Sequence, residues 1–254
     1  MRSLTKFLLL LSLVTVVSCG KSNSHKGAGN QQEQGPGTAE TTTSGISQNE
    51  TITADGSNVS GIYATDLWPV NTNLQFLKVG AAAVERDGDN FTAHVKLIYG
   101  AKDAPYKQAI YTGRRCPTLN DDLNHDLYID IQEALIALGK ITIPLDGNLD
   151  SQLGGINDYP VGDAVAGKFN YKVSASFQRL FADLKDQDPN PNDLITKITE
   201  GITFPGRVIL IQGTNETTFL PTTVASTEGE SMFRTLPVAC GVLWKVDKLP
   251  DELK

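Results

Sequence analysis

Six residues with oxygen donors recur at close intervals between positions 122 and 133, and their types and spacing could bind a metal ion. In chain order they are Asp122, Asn124, Asp126, Tyr128 (through its backbone carbonyl), Asp130 and Glu133. Hard cations such as Ca²⁺ take six to eight oxygen ligands, and a tightly coiled loop can point alternate residues inward together. We therefore expect a calcium site here, with Glu133 as the closing, bidentate carboxylate.

This spacing is that of a twelve-residue EF-hand loop, with one departure at the sixth position. That position normally holds glycine, because the backbone turns there with a positive φ, but this chain has Leu127. A left-handed conformation at leucine costs about 1–2 kcal/mol, which predicts a loss of about tenfold in affinity. Because Cys116-Pro117 leaves no room for an incoming helix, we expect an isolated calcium loop set into another fold. The alternative is an acidic surface loop that caps a helix and binds nothing.

The N-terminus has the pattern of an export signal. Arg2 and Lys6 precede an apolar run from Phe7 to Val17, too short to span a membrane. The run ends in Val-Val-Ser-Cys, which resembles the bacterial lipoprotein signal box. The resemblance implies cleavage of residues 1–18 and a lipid anchor to the membrane at Cys19, in the cell envelope.

Composition then predicts a tether from residue 19 to 60, followed by one folded domain from 61 to 254. The tether is rich in Gly, Ser, Thr, Asn and Gln and almost lacks large apolar residues, and a coil of its length spans about 35 Å. Removal of Arg2 and Lys6 changes the formal net charge from −7 to −9. So acidic a chain favours cations and disfavours nucleic acid as a partner. Only Cys116 and Cys240 remain in the exported chain, and two thiols there most simply form one disulfide.

The domain reads as mainly β, with short helices in long connections, which suggests a β-sandwich. Glycine and aspartate between two apolar runs near residue 88 indicate a hairpin, and the helix after Asp130 should stop at Gly139. The predicted strands are 74–84, 91–99, 106–112, 141–146 (an edge strand, because it contains proline), 169–173, 207–212 and 236–246. The predicted helices are 130–138, 177–184 and one from Asn192 or Asp193 to Ile198.

Three segments in the right order resemble the Cu/Zn superoxide dismutase pattern: residues 108–116, Phe204-Pro-Gly-Arg-Val-Ile-Leu-Ile-Gln-Gly, and Val238-Ala-Cys-Gly-Val-Leu. The resemblance implies a superoxide dismutase-like β-sandwich and, independently, the Cys116–Cys240 disulfide. The chain also resembles uncharacterised bacterial lipoproteins that carry R-C-P, an EF-hand-like loop and P-L-D-G, a resemblance that implies no activity.

The family's copper-binding histidines are replaced by Ala109, Tyr111 and Gln212, and its catalytic arginine by Pro237. Copper and zinc sites use imidazole or thiolate ligands, but the domain has only His94 and His125. The sequence therefore favours a non-enzymatic, calcium-stabilised envelope module that contacts a protein or a glycan. The alternative is an enzyme, either a metal-dependent oxidoreductase or a hydrolase built from carboxylates.

Overall fold

The computed structural model describes residues 60–72, 74, 77–149, 167–186 and 203–254, with side chains 185 and 186 left out. The predicted signal peptide, the lipidation site Cys19, nearly all of the tether and the predicted helix ending at Ile198 lie outside these residues. No helix in the described part of the chain is long and apolar enough to cross a bilayer.

The described residues form a curled, antiparallel sheet of nine strands. The strands are β1 (Gly61–Pro69), β2 (Gly80–Asp87), β3 (Asn90–Leu97), β4 (Lys107–Tyr111), β5 (Ile141–Pro144), β6 (Phe169–Ser176), β7 (Val208–Gln212), β8 (Pro237–Val242) and β9 (Trp244–Val246). Their order is β5-β4-β7-β8-β1-β2-β3-β6, and β9 pairs with β1. The proline-containing β5 is an edge strand, as predicted.

Strand β1 joins the two halves of the sheet. Its first residues pair with β9 and β2, whereas Trp68 and Pro69 pair with Cys240 and Ala239 of β8. The two halves face each other across one apolar core, so the predicted mainly β sandwich is the fold observed. The core includes Tyr63, Val84, Phe91, Ile110, Ile143, Phe169, Ile209 and Ile211, all at most 2% exposed.

Three short helices lie in the connections: α1 (Ile131–Leu138), α2 (Phe177–Asp186) and α3 (Met232–Thr235). The predicted start and stop of α1 are both correct within a residue. Asp130 is its N-cap and accepts a hydrogen bond from the Glu133 N–H. Gly139 ends it with φ +69°, a conformation that glycine adopts at little cost.

Most predicted strand boundaries lie within three residues of the observed ones, and three differences are larger. The first strand, β1, was not predicted, because Thr65 and Asp66 interrupt its apolar alternation. The strand predicted from residue 74 begins only at Gly80, after an unpaired, exposed Leu77. The last predicted strand is broken at Leu243, whose N–H bonds to Arg207 O and whose carbonyl accepts from the Gly206 N–H, so β8 and β9 pair separately.

Candidate metal site

The EF-hand-like loop lies against the outer face of the half-sheet formed by β4, β7 and β8. A short 3₁₀ turn (Leu119–Asp121) precedes it and α1 follows it. Ile129, at the eighth position of the loop, is fully buried in a second apolar cluster. That cluster also contains Ala109, Tyr111, Ile131, Ala134, Leu138, Val208, Leu210 and Cys240. Cys240 forms the predicted disulfide with Cys116, which fixes the start of the loop to β8.

The backbone of the loop turns at its fourth and sixth positions. His125 has φ +59° and Leu127 has φ +69°, so the leucine adopts the left-handed conformation that the motif requires. The Leu127 N–H donates to Asp122 Oδ2 at 2.9 Å, which closes the first half of the loop on its first residue. The Leu127 side chain is 60% exposed and gains little from packing.

Glu133, at the twelfth position, reaches back across the loop from the first turn of α1. Its Oε1 accepts hydrogen bonds from the Leu123 and Asn124 N–H groups at 2.8 and 3.2 Å. Its Oε2 accepts from the Asp130 N–H at 3.1 Å, and this bond completes a capping box at the start of α1. The structure therefore places the last predicted ligand beside the backbone of the second, third and ninth positions.

Asp122, at the first position, is buried and only half satisfied. The residue is 5% exposed, and Oδ1 has no hydrogen-bond partner among the described residues. Asp130 and Glu133 are 3% and 6% exposed. An unsatisfied polar group costs about 1–3 kcal/mol, and more when it is charged. The buried carboxylate oxygen is therefore chemically suited to a cation.

The remaining predicted ligands are held by local bonds. Asn124 Oδ1 accepts from the Asp126 N–H at 2.9 Å, and Asp126 Oδ1 accepts from the Tyr128 N–H at 2.8 Å. Each of these side chains is therefore oriented by the backbone two residues ahead.

Asn71, which the sequence analysis missed, fixes the back of the loop. Its Oδ1 accepts from the Ile129 N–H at 2.7 Å, and its Nδ2 donates to Ile129 O at 3.1 Å and to Pro237 O at 2.8 Å. One amide side chain thus pairs both backbone groups of Ile129, as a neighbouring strand would. No sequence signal connects residues 58 positions apart, so spacing could not have revealed this contact.

Arg115 and Asp121 form a bidentate ion pair beside the site, with two N···O distances of 2.7 Å. This pair lowers the pKa of Asp121 to about 2, mainly through the hydrogen bonds from Arg115. Asp121 is therefore engaged by an arginine and is not a further ligand.

The side chains of the loop do not converge on one point. Within the described ranges, no three His, Cys, Asp or Glu side chains form a group that could hold a metal ion. The loop carboxylates accept bonds from backbone N–H groups instead, as described above. A calcium shell would also draw on the Asn124 amide and the Tyr128 carbonyl, which are outside those four residue types.

The positions that correspond to copper ligands are part of the sheet. Ala109 and Tyr111 are buried beneath the loop in the second apolar cluster, and Gln212 pairs in register with Lys107. His94 is 2% exposed, with Nε2 2.5 Å from Glu85 Oε1, whereas His125 is exposed in the loop. Neither alanine nor tyrosine offers the imidazole of a copper site.

A cavity of about 250 Å³ lies at the end of the core, with Asn71, Tyr106, Thr214 and Thr218 in its wall. The Tyr106 hydroxyl donates to Ala101 O, and the two threonine hydroxyls bond to each other. Because these polar groups bond within the chain, the cavity is a weaker candidate for ligand binding than the loop.

Comparisons with known proteins give similarity at the level of solved structures. No protein-family model and no curated protein matches the chain. A Cu/Zn superoxide dismutase from Brucella abortus is 16% identical, with a TM-score of 0.38 over 71% of this chain and 98% of that one. A SOD-like protein from Bacillus subtilis is 13% identical, with a TM-score of 0.35 over 70% of this chain and 95% of that one. A point mutant of that protein is also 13% identical, with a TM-score of 0.38 over 71% of this chain and 97% of that one. The names of these structures are those of a Cu/Zn superoxide dismutase and a SOD-like protein, and the similarity says nothing about the activity of this chain.

Proposed function

We propose that this chain is a lipid-anchored envelope protein whose β-sandwich carries one structural calcium ion in the loop from Asp122 to Glu133. The observation that carries the proposal is the buried Asp122 Oδ1, which has no partner in the described chain and stands at the first ligand position. A buried carboxylate oxygen is destabilising unless a hydrogen-bond donor or a cation reaches it. Calcium would replace the missing partner of Asp122 and draw the other oxygens toward it.

The ion would have a structural role, holding a surface for contact with a protein or glycan. Leu123 and Leu127, at 64% and 60% exposure, give the acidic loop an apolar outer surface. The disulfide and Asn71 tie the same loop to β8 and to the end of β1. Anchoring at Cys19 through lipid, which the sequence motif implies, would present this surface at the membrane.

Calorimetric titration of the purified protein with Ca²⁺, beside a Glu133→Gln variant, tests the proposal. Glutamine can keep the capping bond at the start of α1 through its oxygen, but its NH₂ group then faces the Leu123 and Asn124 N–H groups, so thermal unfolding in chelator is measured beside binding. We expect millimolar or tighter binding, typical of extracellular calcium modules, that is lost in the variant. Glu216→Gln, which removes an exposed charge outside the loop, is the matched control and should bind as the wild type does.

Asp122→Asn gives a second test, in which calcium affinity and stability are expected to change in different directions. The asparagine can still accept from the Leu127 N–H, but the buried unpaired charge is gone. We expect weaker calcium binding together with equal or higher stability in chelator. Unchanged heats in Asp122→Asn and Glu133→Gln, or no heat and no thermal shift in the wild type at several millimolar Ca²⁺, would refute the calcium site.

Metal analysis of the purified protein separates this proposal from its alternative. Calcium as the bound metal supports the structural role. Stoichiometric copper or zinc would instead support the metal-dependent oxidoreductase, despite Ala109 and Tyr111 at the ligand positions. A hydrolase built from carboxylates would be detected as activity lost in the Glu133→Gln variant.

A further inference from the structure

The segment from Thr223 to Ser226, here called the clasp, crosses the candidate calcium loop and bonds to four of its residues. Asn124 Nδ2 donates to Thr223 O at 3.3 Å, and the Thr223 hydroxyl donates to Asp126 Oδ2 at 2.5 Å. The Ala225 N–H donates to Asp130 Oδ2 at 2.9 Å, and Gln132 Nε2 donates to Ser226 O at 3.1 Å. Three of the four loop residues are proposed ligands.

Asp126 and Asp130 each bond to the clasp through one oxygen and to their own loop through the other. Asp126 Oδ1 accepts from the Tyr128 N–H, and Asp130 Oδ1 accepts from the Glu133 N–H. Bonds at both oxygens fix the plane of each carboxylate and so determine which lone pairs face the loop interior. Outer partners of this kind orient metal ligands, and their loss typically costs 10–100-fold in metal affinity.

The clasp has few other supports. Residues 213–230 contain no helix or strand, and within the clasp only Val224 is buried, at 5% exposure. Beyond the clasp, the Ser226 hydroxyl donates to Glu230 O, and the Glu230 carboxylate pairs with the buried Lys107. Two of the four bonds between the clasp and the loop go to ligand carboxylates, so the position of the clasp depends in part on those carboxylates.

We propose that Thr223 and Ala225 position Asp126 and Asp130 for calcium, and that bound calcium in turn holds the clasp on the loop. This inference rests on the proposed calcium site. Coupling between two binding events is reciprocal. The free energy by which the clasp strengthens calcium binding therefore equals the free energy by which calcium stabilises the contact between the clasp and the loop.

A Thr223→Val variant tests whether the clasp positions the ligands, since valine keeps the shape of threonine and removes the hydroxyl donor. Thr222→Val is the matched control, because Thr222 is an exposed neighbour with no hydrogen bond to the loop. We expect calcium to bind 10–100-fold more weakly to Thr223→Val and within about twofold of wild type to Thr222→Val. Thermal stability in chelator should be equal in the two variants; a merely structural role would lower it in Thr223→Val and leave the affinity unchanged.

Hydrogen exchange at the Ala225 amide, which donates to Asp130, tests whether calcium holds the clasp on the loop. We expect calcium to slow exchange of this amide in the wild type and to have no effect in Glu133→Gln. If the wild type binds calcium but Thr223→Val binds equally well, or if Ala225 exchanges at the same rate with and without the ion, the clasp proposal is wrong and the calcium site stands. If the wild type binds no calcium, the proposed function itself fails.

Discussion

Leu127 has an unfavourable backbone conformation and an exposed side chain, so this residue destabilises the described fold. Its φ is +69° in the described loop, a conformation that costs a residue other than glycine about 1–2 kcal/mol. Strained residues that pack poorly are found where function requires them, which is consistent with the proposed contact surface.

Leu127→Gly should raise the free energy of unfolding. Glycine relieves about 1–2 kcal/mol of strain and costs about 0.4–1 kcal/mol through a freer unfolded chain, so we expect a net gain of between about 0 and 1.6 kcal/mol. Urea unfolding in chelator measures it. Leu123→Gly, which is equally exposed but lacks a positive φ, should instead lose stability; a loss in both variants would contradict the strain argument.

His94 should make stability fall in mild acid. Burial lowers the pKa of His94 below the ordinary value of 6.5. This effect is larger than that of Glu85, which raises the pKa of His94. Lys172, which pairs in register with His94, lowers that pKa further. Because the unfolded chain binds the proton more tightly, unfolding free energy is complete above pH 6.5 and declines as pH falls below it. Urea unfolding between pH 7.5 and about 5 measures this slope.

The matched variants for that measurement are His94→Gln and His125→Gln, both in chelator. His94→Gln should lose the part of the slope that begins near pH 6.5, whatever its absolute stability. His125→Gln changes an exposed histidine and should keep the slope. An unchanged slope in His94→Gln would show that other groups cause the acid sensitivity.

At the scale of elements, the loop from Asp122 to Glu133 is stabilised by parts of the chain far from it in sequence. The limits of α1 are set by the local residues Asp130 and Gly139, so the sequence could predict where this helix begins and ends. The spacing of the loop residues did not predict that their carboxylates accept bonds from backbone N–H groups. Asn71 and the clasp are brought to the loop by the sheet, across more than ninety residues for the clasp. No periodicity encodes such contacts, and the split of β8 from β9 at the fully buried Leu243 was missed for the same reason.

Replacing both half-cystines, Cys116→Ala with Cys240→Ala, should lower the free energy of unfolding by up to about 4–5 kcal/mol on the chain-entropy model. The bridge joins residues 124 positions apart, so it restricts the unfolded chain strongly. Denaturant unfolding measures the loss, and reduced wild-type protein should unfold at the same midpoint as the double variant. A shift below about 1 kcal/mol would mean that the unfolded chain is already compact.

At the scale of the whole molecule, membrane attachment should depend on one thiol outside the described residues. We expect Cys19→Ala to move the protein from the membrane to the soluble fraction of a bacterial host. Acyl chains contribute about 0.8 kcal/mol per buried CH₂, whereas the acidic net charge of the chain disfavours an anionic lipid surface. Detergent phase partition and lipid labelling measure the change.

Cys116→Ala provides the control for attachment, since it removes a cysteine of the folded domain and leaves the signal box intact. It should partition and label as the wild type does. A Cys19→Ala protein that still takes up the lipid label would contradict the lipid anchor, whereas an unlabelled variant that stays in the membrane fraction would indicate an uncleaved apolar run from Phe7 to Val17.

The position of β1 has a mechanical consequence. Tension on the N-terminal segment reaches the domain at Gly61, where β1 begins, and β1 is an internal strand with β2 on one side and β9 and then β8 on the other. An edge strand can separate from a sheet by losing its backbone hydrogen bonds one at a time. Removal of β1 must instead break the backbone hydrogen bonds to the neighbouring strands on both sides. The chain therefore meets a pulling force at one of its most firmly held strands, and a domain tethered there could resist shear while the candidate site on the other half-sheet stays intact.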